Sequence, residues 1–353
     1  MTIGQRRKKL EELARDNGLS DAYTTSLTRL KAQKRNRAEL GLKALMWVLH
    51  SERPLRPEEL GGALGVEIGS PDLDLACVPA LQTLLSSCLG LVTVERSSST
   101  LRLVHYTLQE HLLSDPTLFH SPHSTIAEVC LTYLNCTSVR DLSPILRSAP
   151  PTMPLLEYAS FYWGEHTRRG MTENVKALAL RLLDRFDEHI SAHLLLLRYS
   201  CDIYLGQYSI ARGPKGFTGL QGVVFLGIVE FVAPMLEIEK CDVNVANNTW
   251  NTALAWAAQT GQEGVVKLLL ERKDVNPNQG DTKYGRTPLW LAARNGHEGI
   301  VKMLLERINV RPTIPDNENQ SPLSIALSAR HYGVARILEE WVNVSSDRTN
   351  HGR

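Results

Sequence analysis

No stretch of this chain approaches the roughly 18 uninterrupted apolar residues of a membrane-spanning helix, so no membrane span is expected. The six cysteines, Cys77, Cys88, Cys130, Cys136, Cys201 and Cys241, include no Cys-x-x-Cys pair, which argues against a zinc site or a disulfide framework. His-Glu-x-x-His is absent. So is Gly-x-x-x-x-Gly-Lys-Ser/Thr: Gly213-Pro214-Lys215-Gly216 has neither the spacing of a phosphate loop nor the hydroxyl that would bind its metal. Charge is nearly balanced, with 39 Lys and Arg against 38 Asp and Glu, so there is no global pull towards nucleic acid or acidic membranes. Met1 is followed by Arg6-Arg7-Lys8-Lys9 and then Glu11-Glu12, not by an apolar segment, so no signal peptide is expected. These absences leave a cytoplasmic chain, with the nucleus still open. Its length of 353 residues has room for about two to three domains.

What is present is a repeat. Thr218-Gly219-Leu220, Thr252-Ala253-Leu254, Thr287-Pro288-Leu289 and Ser321-Pro322-Leu323 open four segments spaced 34, 35 and 34 residues apart. Ala257-Ala258 aligns with Ala292-Ala293, and Gly261 with Gly296, ahead of the apolar runs 265–270 and 300–305. Thr and Ser are favoured N-caps because their oxygen accepts an orphan N–H of the first turn, and Pro just after the cap costs little. Gly261 and Gly296 suit the left-handed residue that ends a helix. Each segment therefore predicts a helical hairpin that needs its neighbours to bury both faces, as in stacked arrays that bind other proteins.

These segments resemble the ankyrin repeat over about residues 213–344, the third unit, Gly285 to His297, most closely. The family usually has His after Thr-Pro-Leu; here Gln221, Ala255, Trp290 and Ser324 stand there, so the tie that imidazole makes between hairpins is expected to be missing. The fourth unit has Arg330 where glycine is expected. The resemblance implies a protein partner held on hairpin tips and inner helices, with Trp250, Lys283, Tyr284, Arg286 and Asn319 at the tips and Trp290 on an inner helix. For Trp250 and Tyr284, packing against the next repeat is an equally weighted alternative.

The first 43 residues carry eleven Lys or Arg against five acids, a local excess of +6. This fits either a nucleic-acid patch or a solvated helix face, and Leu10, Leu13, Leu27 and Leu30 at helical spacing favour the face. Between residues 38 and 113, helices at 44–49, 57–64 and 78–88 precede two apolar strands around Ser97-Ser98-Ser99. Three helices and a β-hairpin wing predict a winged helix. Four helices, about 123–135, 153–167, 172–187 and 189–204, follow; Tyr158, Phe161 and Trp163 there read as core sooner than as a binding stripe.

Arg53-Pro54-Leu55, Cys88 to Val92 and Leu103 to Glu110 look like the winged-helix segment of fungal NACHT-type signalling ATPases, and Pro154 to Ala159 with Tyr162 to His166 like their helical linker. In related nucleotide switches, a histidine in the context of His105 with Gln109-Glu110 approaches the nucleotide phosphates. That role for His105 requires a nucleotide domain supplied upstream; otherwise it packs. The fold is thus expected to be mainly α: a basic lead-in (1–37), a winged-helix domain (38–120), a helical linker (121–212), four ankyrin repeats (213–344) and a polar tail (345–353). The expected function is a non-catalytic interaction scaffold without cofactor or metal. The alternatives are the C-terminal part of a nucleotide switch, from a truncated gene or misassigned start, and a winged-helix DNA binder, although nucleic acid is not the expected partner. His189 and His193, four apart, lack a third ligand for a metal.

Overall fold

A computed structural model of the chain describes residues 18–200, 217–238, 241–246 and 251–350. The chain divides into two compact units, Met1–Asp141 with Ser148–Leu178, and Leu142–Arg147 with Ala179–Arg353.

In the first unit α1 (Gly18–Lys31) precedes α2 (Arg35–His50), α3 (Pro57–Leu64) and α4 (Leu81–Ser87). Pro57 opens α3, where its missing N–H costs nothing, and Glu58 and Glu59 favour the positive end of the helix dipole. Helix α4 starts at Leu81, later than the sequence pattern suggests, because Pro79 holds Val78 out of the helical region. Helices α2 and α4 meet at Gly41, where a Cβ would lie 2.6 Å from the Ser87 carbonyl oxygen. The wing pairs β1 (Val92–Glu95) antiparallel with β2 (Thr100–Leu103), Val92 opposite Leu103. Leu101 N–H donates to the Leu55 carbonyl at 2.7 Å, fastening the wing to the Pro54-Leu55 turn. This is the winged helix expected from the sequence.

Helix α5 (Tyr106–Ser114) returns to α1, where the Tyr23 hydroxyl meets the Thr107 hydroxyl at 2.8 Å. Next come α6 (Pro122–Asn135), the short α7 (Thr137–Arg140) and α8 (Leu156–Arg169). Although they read as linker helices, α6 and α8 pack in the same unit as the winged helix. Trp163 and Tyr158 are fully buried, and the Tyr158 ring lies 5.8 Å from that of Trp47.

A buried ion pair holds the turn into α3. Glu59 is 0% exposed and takes both Arg53 guanidinium nitrogens, at 2.9 and 2.7 Å, and the Arg56 backbone N–H at 2.7 Å. Burial alone would raise its carboxyl pKa; the bonds from Arg53 and Arg56 outweigh burial and hold it below the usual value.

Helices α9 (Glu173–Leu183) and α10 (Ile190–Ser200) follow in the chain. In the second unit Phe186 lies against Gly222, and its ring is 5.8 Å from that of Phe217, so this region packs on the first repeat. Four hairpins follow among the described residues. They pair α11 (Gly219–Leu226) with α12 (Val232–Leu236), α13 (Ala253–Thr260) with α14 (Glu263–Glu271), α15 (Pro288–Asn295) with α16 (Glu298–Leu305), and α17 (Pro322–Ser328) with α18 (Tyr332–Asn350).

Each first helix is capped as its sequence requires. Thr218, Thr252, Thr287 and Ser321 accept the N–H groups of Gln221, Ala255, Trp290 and Ser324. Each first helix also closes in a Schellman turn: the N–H groups of Ile228, Gln262, His297 and His331 reach back five residues to the carbonyls of Val223, Ala257, Ala292 and Ala326. The turn needs a left-handed residue, which is Gly227, Gly261, Gly296 and, in the fourth hairpin, Arg330 at φ +63°.

A left-handed non-glycine residue costs about 1–2 kcal/mol. Arg330→Gly should therefore stabilise the array by about 1 kcal/mol, seen as a higher urea midpoint at unchanged slope. In the first unit, the stability Glu59 contributes is complete above its ordinary pKa of 4.5 and is lost as pH falls through the lower folded value. Glu59→Gln should cost about 2 kcal/mol at neutral pH and flatten that acid limb in urea melts.

Candidate functional site

The turn before the third hairpin is organised by one carboxylate. Asp281, buried, accepts the backbone N–H groups of Lys283 at 3.0 Å, Tyr284 at 2.5 Å and Arg286 at 3.1 Å. Asp316 repeats the arrangement 35 residues on, accepting Glu318 N–H at 3.0 Å and Gln320 N–H at 2.8 Å. The two turns are joined by Asn317, whose backbone N–H donates to the Tyr284 carbonyl at 2.8 Å and whose side-chain amide donates to that of Lys283 at 3.0 Å. The Arg286 guanidinium carbon lies 4.1 Å from the centre of the Tyr284 ring and 4.7 Å from that of Trp290. Lys283 Nζ lies over the same Tyr284 ring at 4.6 Å.

Side chain to backbone bonds tie successive hairpins. Gln262 reaches the Val224 carbonyl at 2.8 Å, and His297 Nε2 that of Gln259 at 3.1 Å. Arg272 and Arg307 likewise donate to Leu236 and Leu270, at 2.5 and 2.6 Å. Residues 220–316 and 273–348 match the family described as ankyrin repeats (3 copies). The C-terminal segment is an ankyrin array. Residues 27–142 match the winged helix domain of GPI inositol-deacylase, and no curated protein matches the chain.

The ankyrin array corrects two expectations. At two of the four positions the tie thought missing is made by another donor. Gln221 reaches the Val245 carbonyl at 2.6 Å and that of Asn251 at 3.4 Å, and the Trp290 indole N–H reaches that of Gln320 at 3.0 Å. Trp290 is also not a contact residue. It is 1% exposed, clustered with Ala255 and Leu291 and packed by Ile325, because the small Ala255 one repeat earlier leaves room for the indole. Of the remaining tip residues, Lys283 and Asn319 are exposed, whereas Tyr284 and Arg286 are half-buried in the stack just described. Trp250 lies outside the described residues.

In the winged helix, His105 is exposed and N-caps α5. Its Nδ1 accepts the Thr107 N–H at 3.3 Å and meets the Thr107 hydroxyl at 2.8 Å. Accepting at Nδ1 places the proton of a neutral ring on Nε2, which makes that nitrogen a donor. His105 borders a cleft of about 420 Å³ that is also lined by Ser51, Arg53, Arg102 and Gln109.

A group that sequence reasoning missed lies where α6 and α8 meet the end of α2. Glu52, His123 and His166 each place a ligand-type atom within 4.8 Å of the others. The two imidazoles stack with centres 5.2 Å apart, their Nδ1 atoms at 2.9 Å. The Tyr158 hydroxyl meets His166 Nε2 at 2.9 Å and accepts the Glu52 backbone N–H at 3.1 Å. Arg169 pairs with the Glu52 carboxylate at 2.6 Å. Burial, helped by the neighbouring imidazoles and Arg169, depresses the His166 pKa to about 3, and burial with His123 depresses that of His50 to about 4. The three residues are 71 and 43 positions apart, so no spacing motif reveals them. The one local signal is that Tyr158 and His166, eight apart, share a face of α8.

Trp290→Phe keeps a ring in the core but deletes the donor to Gln320. It should lower the stability of the array by about 1–2 kcal/mol in urea melts.

Proposed function

We propose that this protein is a non-catalytic scaffold that holds a protein partner on its ankyrin array. The observation that carries this reading is the division of labour at the tips. Asp281 and Asp316 use their carboxylates to fix the turns, while Lys283 and Asn319 point outward from the same turns. A rigid backbone presenting exposed polar side chains loses little freedom on binding, which favours recognition. Lys283 and Asn319 form the centre of the contact, with the half-buried Tyr284 beside them. Arg286 shapes the surface from within, by stacking on Tyr284 and Trp290.

A second reading, the C-terminal part of a nucleotide-driven switch, is favoured by the cleft beside His105. Arg102 and the Nε2 donor of His105 would suit phosphate oxygens there, beside an Arg53 held by Glu59. That role requires a phosphate-binding domain supplied by other sequence. Among the described residues no helix is long and apolar enough to cross a membrane.

The scaffold reading is tested by capture on the full-length chain, comparing the native protein with Lys283→Glu combined with Asn319→Gly. Both positions are exposed, and glycine suits the left-handed backbone at 319 (φ +61°), so the melting transition should stay within about 1 kcal/mol. The bound protein set should fall at least tenfold. Undiminished capture by the folded double variant would move the contact away from these tips.

A further inference from the structure

We propose that Glu52, His123 and His166 bind one divalent transition ion of the zinc class, clamping the segment after α2 to α6 and α8. Two imidazole nitrogens and one carboxylate are a donor set that Zn²⁺ accepts, with a fourth position left for water. The three ligand atoms already lie within 4.8 Å of one another, so an ion can reach all of them by small side-chain rotations. Zn–N bonds of about 2.0–2.1 Å at a tetrahedral angle put two nitrogens about 3.3 Å apart. The Nδ1 atoms stand at 2.9 Å, so the rings part by a few tenths of an ångström to admit it.

The surroundings supply what ligands of this kind need. A metal-bound imidazole is oriented by a hydrogen bond at its other nitrogen. Tyr158 stands at that place on His166, 2.9 Å from Nε2, and is itself fixed by the Glu52 backbone N–H at 3.1 Å. Without an ion, the Nδ1–Nδ1 contact is a hydrogen bond in which one ring donates and the other accepts. Binding the ion moves that shared proton out from between the rings: each neutral imidazole then carries its one proton on Nε2, with none released overall, and His166 donates from Nε2 to the Tyr158 oxygen. Arg169 is the competitor. It occupies the Glu52 carboxylate from the solvent side, with its own side chain 49% exposed, and swings outward when the ion arrives. His50, whose ring centre lies 5.4 Å from that of His123, packs against the site without joining it.

The test is a Co²⁺ titration of the full-length chain after chelator treatment, followed by visible absorption. One equivalent should produce the intense bands of a four-coordinate ion, and Zn²⁺ should bleach them. His123→Gln, checked for folding by circular dichroism, should weaken binding at least about tenfold. His120→Gln, an exposed neighbour, should leave it unchanged. Absence of the bands in the native chain, or bands that survive His123→Gln, overturns the proposal. Should His123→Gln fail to fold, Arg169→Gln decides: freeing Glu52 tightens Co²⁺ several-fold if the site is real, and unchanged or weaker binding overturns it.

Discussion

A helix of eight residues makes barely two turns, and helices shorter than about 12–15 residues are marginal in water. The first helices of all four repeats are of this size or shorter. Their ends are therefore where stability is decided. Each begins on a Thr or Ser oxygen and closes in a Schellman turn, which satisfies backbone groups that a short helix would otherwise leave open at both ends. Once the ends are closed, the small alanines let the first helices of neighbouring repeats stack, and the long side chains of Gln262, Arg272, His297 and Arg307 tie the second and third repeats to their predecessors.

The first unit is organised by a different device. Four of its helices run to 14–16 residues, and several of the polar groups buried between them are joined in one chain of contacts. Glu59 joins Arg53 to the start of α3, Arg53 in turn lies 5.4 Å from the Tyr158 ring centre, and Tyr158 joins the Glu52 backbone to His166. A tyrosine in the core of α8 thus meets both the ion pair of the winged helix and the histidine pair. This accounts for the packing of α6 and α8 with the winged helix instead of as a separate linker.

What was legible in the sequence was local. The caps at Thr218, Thr252, Thr287 and Ser321 act within three residues, and the wing is set by neighbouring strands, so both could be read directly. Trp290 could not, because its burial depends on the small Ala255 that faces it from the preceding repeat. The same distance hid the replacement of the missing histidine tie: a glutamine and an indole can deliver an N–H to the same kind of carbonyl, but no residue class announces it. The Glu52, His123 and His166 group was out of reach for the same reason, being assembled by three elements whose meeting only the fold decides. Tyr284 and Arg286 lie in the turn before the third hairpin, yet their mutual stacking, which draws both partly inward, follows from side-chain geometry alone.

The substitution of Gln221 and Trp290 for histidine changes how the array responds to its surroundings. Imidazole gains or loses a proton near neutrality, whereas a carboxamide and an indole keep their N–H donors unaltered across that range. The joints that Gln221 makes to Val245 and Asn251, and Trp290 to Gln320, carry no charge and exchange none. The repeat stack is thereby freed at those two joints from the acidity of the compartment in which it works.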